Sequence, residues 1–106
     1  MVRDPLDQVI CYSILDEPVP AHRLDAAMRL ATLANNRLAI GSFELDLANG
    51  EWAFRTSIDV EGDRLSEALF RQLADANLAQ FDRYHAAIDS TINNGVSAEA
   101  AMALVN

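Results

Sequence analysis

Apolar and polar residues alternate strictly over two stretches near the middle of the chain. The first runs from Phe43 to Leu47, with apolar side chains at odd positions. The second runs from Trp52 to Val60, with its large apolar side chains and Thr56 at even positions. A period of two is typical of strands with one buried face. Asn49-Gly50 lies between them, and this pair favours the positive φ angles of a type I′ turn. The pattern predicts a β-hairpin.

A two-residue turn would fix the register of this hairpin. The cross-strand pairs that it predicts are Leu47 with Trp52, Leu45 with Phe54 and, on the opposite face, Glu44 with Arg55. We expect the last pair to be an ion pair worth at most about 1 kcal/mol. Leu38 and Ile40 are out of phase with the first strand, so we place a bulge or kink near Gly41-Ser42.

One strand and one helix are predicted before the hairpin. Gln8 to Leu15 is short, apolar on both faces and rich in β-branched residues, which is typical of a buried strand. The prolines of "DEPVP" end it, and Pro20 fits the first turn of a helix that ends at Asn35-Asn36. The apolar stripe of this helix consists of Leu24, Ala27, Met28, Ala31 and Ala34.

A long helix and a short one are predicted after the hairpin. Ser66 is the expected N-cap of the long helix, Glu67 complements its dipole, and Asn94-Gly95 ends it. Its apolar stripe consists of Phe70, Leu73, Phe81, Tyr84, Ile88 and Ile92. Asn77 interrupts the stripe, and its amide either bonds to strand backbone or an adjoining subunit, or lies at the edge of the stripe. Ser97 is expected to cap the short helix.

The elements therefore follow the order strand, helix, strand, strand, long helix, short helix. Because their apolar faces must cover one another, the expected fold is an α+β two-layer sandwich in which a small sheet with a β-hairpin packs against helices. At 106 residues, 51% of them hydrophobic and 23% charged, the chain is expected to form one domain over residues 1–106.

Charge and cysteine content limit the classes of partner. A net charge of −8 repels phosphate backbones and anionic headgroups, so we expect neither nucleic acid nor a membrane surface as the main partner. No apolar run is long enough to span a bilayer, and the first residues show no signal-peptide pattern. Cys11 is the only cysteine. It is expected to be a small core residue of a cytoplasmic protein.

No catalytic or metal-binding constellation is visible in the sequence. His85 shares a helix face with Asp82 and Asp89, but solvated charges are the commoner explanation because a metal site needs three or four convergent ligands. Glu44 and Asp46 lack the pocket that an acid–base pair needs. Phosphate loops, zinc spacings and nucleophile elbows are absent. We therefore expect a protein that is not an enzyme and needs no metal or cofactor.

Five motifs together resemble those of one family, the YbjN family of bacterial proteins, also labelled sensory transduction regulators. They are Asn35-Asn36 at the end of a helix, "GSFELD" (Gly41–Asp46), "NGE" (Asn49–Glu51), "RTSIDVEG" (Arg55–Gly62) and "DRY" (Asp82–Tyr84). The resemblance covers about Cys11 to Leu104.

The resemblance implies a fold similar to that of the small, acidic, dimeric chaperones of type III secretion, which bind extended client segments. That fold has a helix and further strands before the equivalent of "VICYSIL" (Val9–Leu15), so we expect either a compact or truncated version of it here or another element that covers the exposed sheet edge. The implied function is a protein-binding module, chaperone-like or a regulatory adaptor, that forms a homodimer through the first strand or first helix. The candidate partner-binding residues are Glu44, Asp46, Arg55 and Asp59. The alternative is a small-molecule sensor with a pocket between sheet and helices.

Overall fold

The computed structural model describes residues 2–3, 8–59 and 67–105, and within them it confirms the predicted α+β architecture. The strands are β1 (Val2–Arg3), β2 (Gln8–Ile14), β3 (Ser42–Leu45) and β4 (Trp52–Asp59). The helices are α1 (Leu24–Asn35), which follows a 3₁₀ turn at Ala21–Arg23, α2 (Glu67–Asn94) and α3 (Ala98–Met102). The order of elements is the predicted one, preceded by the two-residue strand β1, which is too short to leave a pattern in the sequence.

The four strands form one antiparallel sheet in the order β1-β2-β4-β3. β2 pairs with β4 along its whole length, from Gln8 opposite Asp59 to Ile14 opposite Ala53. On its other side, β1 pairs with Ile10 and Cys11. β2 therefore lies inside the sheet at Ile10 and Cys11, whereas residues 12–14 have no strand partner on that side within the described ranges. Its lack of charge and proline leaves this part of its edge unprotected.

The helices pack on one face of the sheet. α2 contacts β2 and β4, α1 contacts β3, and α3 packs against both longer helices. Aromatic rings fill the space between the layers: the Phe43 ring lies 5.2 Å from that of Trp52, 4.7 Å from that of Phe54 and 5.1 Å from that of Tyr84, measured between centroids. The predicted inner face of the hairpin is confirmed, since Phe43, Trp52 and Phe54 are all buried.

The predicted register of the hairpin is wrong by two residues. The observed pairs are Ser42 with Arg55, Phe43 with Phe54, Glu44 with Ala53 and Leu45 with Trp52. The expected pairing of Glu44 with Arg55 does not occur, and the structure has no ion pair between these two described side chains. A shift of two residues leaves the side chains of the paired residues on their predicted faces, because the strand period is two. The prediction that Leu47 is buried opposite Trp52 is wrong, since Leu47 lies beyond the end of β3 and is 56% exposed.

The two strands are joined by a longer loop than the predicted two-residue turn, and hydrogen bonds to Asp46 stabilise this loop. Asp46 Oδ1 accepts a hydrogen bond from the Ala48 N–H at 2.9 Å, and the Asp46 carbonyl accepts one from the Gly50 N–H at 2.7 Å. Such aspartate turns compete with ladder pairing. Gly50 has the expected positive φ of 77°, and a Cβ there would lie 2.5 Å from the Val19 carbonyl oxygen. The loop is thus fixed both locally and by the segment before α1.

The predicted kink before β3 is confirmed at Gly41. Its φ is +83°, and a Cβ at this position would lie 2.6 Å from the Phe54 ring. Glycine adopts this conformation without steric cost and lets the chain pass close to the core. β3 then begins at Ser42 in the phase that buries Phe43.

The buried stripe of α1 differs from the predicted one at a single turn. Ala27, Ala31 and Ala34 are buried as expected, but Met28 is 44% exposed and Leu30 is buried in its place. Leu30 lies at the i+3 position from Ala27, so the helical spacing is preserved and the stripe is narrower than predicted. An ion pair of 2.6 Å between Arg29 and Glu99 links α1 to α3, and this hydrogen bond lowers the pKa of the Glu99 carboxyl.

The ends of the later helices agree with the sequence wherever they are described. α2 ends at Asn94, Gly95 has a φ of +70°, and the Val96 N–H donates to the Ser90 carbonyl at 3.0 Å. Ser97 caps α3 by accepting a hydrogen bond from the Ala100 N–H at 3.2 Å. The expected N-cap Ser66 lies outside the described residues.

The predicted stripe of α2 is buried at Leu73, Tyr84, Ile88 and Ile92, whereas Phe70 and Phe81 are half-buried. No helix in the described ranges combines the length and the apolarity needed to cross a membrane.

Candidate partner-binding face

The face of the sheet that points away from the helices is the candidate site. Strand alternation places here Tyr12 and Ile14 of β2, Ala53 and Arg55 of β4, and Glu44 of β3. No described helix covers this face. Ile14 is 47% exposed and Tyr12 is half-buried, so this end of β2 is open to solvent, whereas Ile10 on the same face is buried. The prediction that β2 is apolar on both faces is confirmed.

A shallow groove of about 510 Å³ lies on this face. It is lined by Tyr12, Ile14, Glu44, Leu45, Asp46, Glu51 and Ala53, and we refer to it as the acid-rimmed groove. Its floor is apolar, because Ile14 lies directly opposite Ala53 and Tyr12 is two residues away on the same strand. Its rim consists of three exposed carboxylates.

These rim carboxylates have no cationic partner among the described side chains. The ion pairs seen between described side chains join Arg29 to Glu99 and Arg71 to Glu67, and neither includes a rim carboxylate. Asp46 uses Oδ1 to accept the Ala48 N–H, which fixes its position at the end of β3. The groove thus combines an apolar floor, exposed mainly at Ile14, with three carboxylates that form no ion pair with a described side chain.

Two of the four candidate residues from the sequence lie in the groove. Glu44 and Asp46 form part of its rim. Arg55 is on the same face, opposite Tyr12, but does not line the groove. Asp59 pairs with Gln8 at the far end of β4, and its side chain lies outside the described part of the molecule.

Sequence reasoning missed five groove residues, which are Tyr12, Ile14, Leu45, Glu51 and Ala53. Tyr12 and Ile14 join Glu44 only because β2 pairs with β4, which no local pattern specifies. Glu51 lies next to the turn residues, and its part in the rim follows from the hydrogen bond of 2.9 Å between the Asp46 N–H and the Glu51 carbonyl.

Asn77 of α2 holds together the two strands that carry the groove. Its side chain is buried, and its Nδ2 donates to the Cys11 carbonyl at 3.1 Å, the Phe54 carbonyl at 3.2 Å and Thr56 Oγ1 at 3.0 Å. Its Oδ1 accepts a hydrogen bond from the Ser13 hydroxyl. The predicted bond to strand backbone is therefore confirmed, and the stripe-edge alternative is wrong.

Two of the three residues considered for metal binding line a second, smaller cavity, and the third, Asp82, lies outside it. His85 and Asp89 line it with Asp16 and Glu17, and its volume is about 210 Å³. Among the described residues, no three histidine, cysteine, aspartate or glutamate side chains converge as metal ligands would. Cys11 is half-buried beside Val9 and Leu73, so it is less enclosed than predicted.

A bacterial regulator family accounts for most of the chain. A family model with the description "Putative bacterial sensory transduction regulator" matches residues 2–90. The chain belongs to the YbjN family. Comparisons with curated proteins and with solved structures found no match. The family description is regulatory in kind and specifies neither a ligand nor a partner.

Two of the YbjN-type motifs meet at the free edge of the sheet. The Asn35 side chain donates from Nδ2 to the Phe43 carbonyl at 3.0 Å and accepts the Phe43 N–H at 2.7 Å. β3 is the last strand of the sheet, so these are backbone groups that a further strand would use. The asparagine that ends the helix thus occupies the edge position that the "GSFELD" strand would otherwise leave open.

Replacing Asn35 by alanine should make the protein associate through this edge. The variant exposes the Phe43 N–H and carbonyl, and the loss of two hydrogen bonds should reduce the free energy of unfolding by about 1–2 kcal/mol. Concentration-dependent light scattering together with denaturant melts provides the measurement. The control is Asn36→Ala at the neighbouring exposed asparagine, whose side chain makes no hydrogen bond among the described residues. Equal behaviour of the two variants would show that Asn35 does not protect the edge.

Proposed function

We propose that this YbjN-family protein is a non-catalytic protein-binding module, chaperone-like or a regulatory adaptor, that acts as a dimer in the cytoplasm. The observation that supports this most strongly is the outer face of the sheet. On this face Ile14 is exposed and Tyr12 is half-buried, no described helix covers them, and apolar surface open to solvent is a feature of protein-interaction sites. The regulatory description of the family is consistent with such a role.

The chemistry of this face supports binding rather than catalysis. Glu44, Asp46 and Glu51 are exposed. General acid–base pairs rely on burial or close like charges to separate their pKa values. His85 is also exposed, and Cys11 is only half-buried against apolar neighbours. The absence of catalysis and of a cofactor remains a prediction.

A dimer contact through the first helix is favoured over one through β2. β1 already pairs with Ile10 and Cys11 of β2, whereas the helical layer exposes Met28 at 44% and Leu104 at 49%. Leu33 and Met102 line a shallow apolar depression between α1 and α3. A two-fold contact there would bury the same surface of both copies and leave the outer sheet face free.

Light scattering at micromolar concentration tests the dimer, and suppression of the aggregation of reduced insulin B chain tests client capture. We expect a dimer mass and measurable suppression. Asn36→Glu, at an exposed residue that lines the depression, should shift the mass toward the monomer because it would place one charge from each copy in the contact, whereas Ile40→Glu should leave the mass unchanged. A strict monomer would contradict the dimer. A monomer that also co-purifies a small ligand in native mass spectrometry would establish the sensor alternative instead.

A further inference from the structure

We propose that the acid-rimmed groove binds an extended protein segment in which lysine or arginine alternates with small apolar residues. This proposal rests on the protein-binding function proposed above and specifies the chemistry of the partner. Two properties of the groove support it: the shape and apolarity of its floor, and the charge of its rim.

The floor suits apolar side chains of an extended chain. Tyr12, Ile14 and Ala53 lie next to one another on the sheet, and no described helix covers them. In an extended segment every second side chain points the same way, at a spacing of about 7 Å. The apolar side chains of such a segment would cover Ile14, which is the most exposed apolar side chain of the floor. Its lysine or arginine side chains start from the opposite face of the segment and are long and flexible enough to bend back to the rim.

The rim specifies a cationic partner. Glu44, Asp46 and Glu51 surround the apolar floor without a cation of their own among the described side chains. Lysine or arginine side chains that reach the rim gain charge-assisted hydrogen bonds, and the net charge of −8 accelerates their approach. An anionic segment would meet repulsion at the same places.

A second copy of this chain fits the groove poorly. Two grooves face to face would bring three carboxylates from each copy together, and Arg55 is the cation of this face among the described side chains. Like charges in an interface oppose association. The occupant that the charges favour is therefore a different, basic protein segment.

Two charge-matched sets of substitutions test the proposal. The groove triple is Glu44→Gln, Asp46→Asn and Glu51→Gln, and Asp46→Asn retains the Oδ1 acceptor of the loop. The helix triple is Asp25→Asn, Asp75→Asn and Asp82→Asn at exposed positions outside the groove. Both triples change the net charge equally, so a difference between their peptide affinities reports the position of the carboxylates and not the total charge. The single variant Ile14→Thr tests the floor, with Ile40→Thr as its control.

The probe is a fluorescein-labelled peptide of alternating lysine and valine, and fluorescence anisotropy is the measurement. We expect the groove triple to weaken binding about tenfold and the helix triple by less than about threefold. Ile14→Thr should weaken it more than Ile40→Thr, and a peptide of alternating glutamate and valine should not bind. Equal weakening by both triples, equal binding of the two peptides, or no binding to the unchanged protein would overturn the proposal.

The same variants separate this proposal from the proposed function. A groove triple that changes the mass in light scattering would identify the groove as a contact between copies and overturn the proposal. If the triples bind the peptide equally while insulin B chain aggregation is still suppressed, the groove proposal fails and the protein-binding function stands. If the unchanged protein captures no client and is a monomer, the proposed function itself fails.

Discussion

Replacing Phe54 by alanine should lower the free energy of unfolding by about 3–5 kcal/mol. Phe54 is fully buried, and its ring lies 4.7 Å from that of Phe43 in the aromatic cluster between the layers. Truncation removes the contacts of a large side chain and leaves a cavity that the neighbouring rings cannot fill. Denaturant melts of the purified variant provide the measurement.

Glu44→Ala is the matched control for Phe54→Ala, because the two residues are on paired strands but on opposite faces. Glu44 is exposed and makes no ion pair with a described side chain, so its loss should cost less than about 1 kcal/mol. Similar losses for the two variants would show that the inner and outer faces of the sheet are assigned wrongly.

Replacing Asn77 by alanine should cost about 3 kcal/mol. The variant removes the partner of two strand carbonyls, at Cys11 and Phe54, and of the hydroxyls of Ser13 and Thr56. Buried polar groups without partners are costly because they have lost water and gained nothing in its place. Denaturant melts again measure the effect.

Asn93→Ala is the control for Asn77→Ala, since Asn93 lies on the same helix but is exposed. Its amide bonds to the Asp89 carboxylate one turn away at 2.7 Å. Such a pair contributes only a few tenths of a kcal/mol. If both asparagine variants unfolded at the same denaturant concentration, the buried network would not stabilise the sheet.

Much of the fold follows from local pattern in the sequence. The alternation after Gly41 specifies which hairpin side chains are buried, and the helical spacing around Asn77 places it inward, where an amide needs partners. The hairpin register does not follow from the pattern, because a shift of two residues preserves the alternation. It is decided by the Asp46 side chain and by the hydrogen bond of 2.7 Å from the Val19 N–H to the Gly50 carbonyl. The second of these contacts is distant in sequence.

Only part of the candidate site can be predicted from the sequence, because the rest depends on contacts between residues that are distant in sequence. Glu44 and Asp46 are outward by alternation and could be assigned from the sequence. Tyr12 and Ile14 form the floor only through pairing between β2 and β4, which are almost forty residues apart. The exposure of Met28 likewise depends on how α1 is rotated about its axis where it packs on β3. Helical spacing alone does not determine this rotation.

The sheet protects its free edge while leaving its outer face open. Asn35 occupies the backbone groups of Phe43 at the edge, so strand addition at that point is blocked. Asn77 secures β2 to β4 from the helical side. The outer face offers a partner side chains rather than the backbone of β3, and the central claim is that this face is the binding surface.

Carbodiimide cross-linking with the lysine–valine peptide tests that claim most directly. The reagent joins carboxylates to amines, and the chain contains no lysine, so links to its acidic side chains report the peptide. Peptide mapping by mass spectrometry should place the links on Glu44, Asp46 or Glu51. Links at similar yield on Asp75 and Asp82 of α2, or none on the groove residues, would contradict the assignment of the outer sheet face as the partner-binding surface.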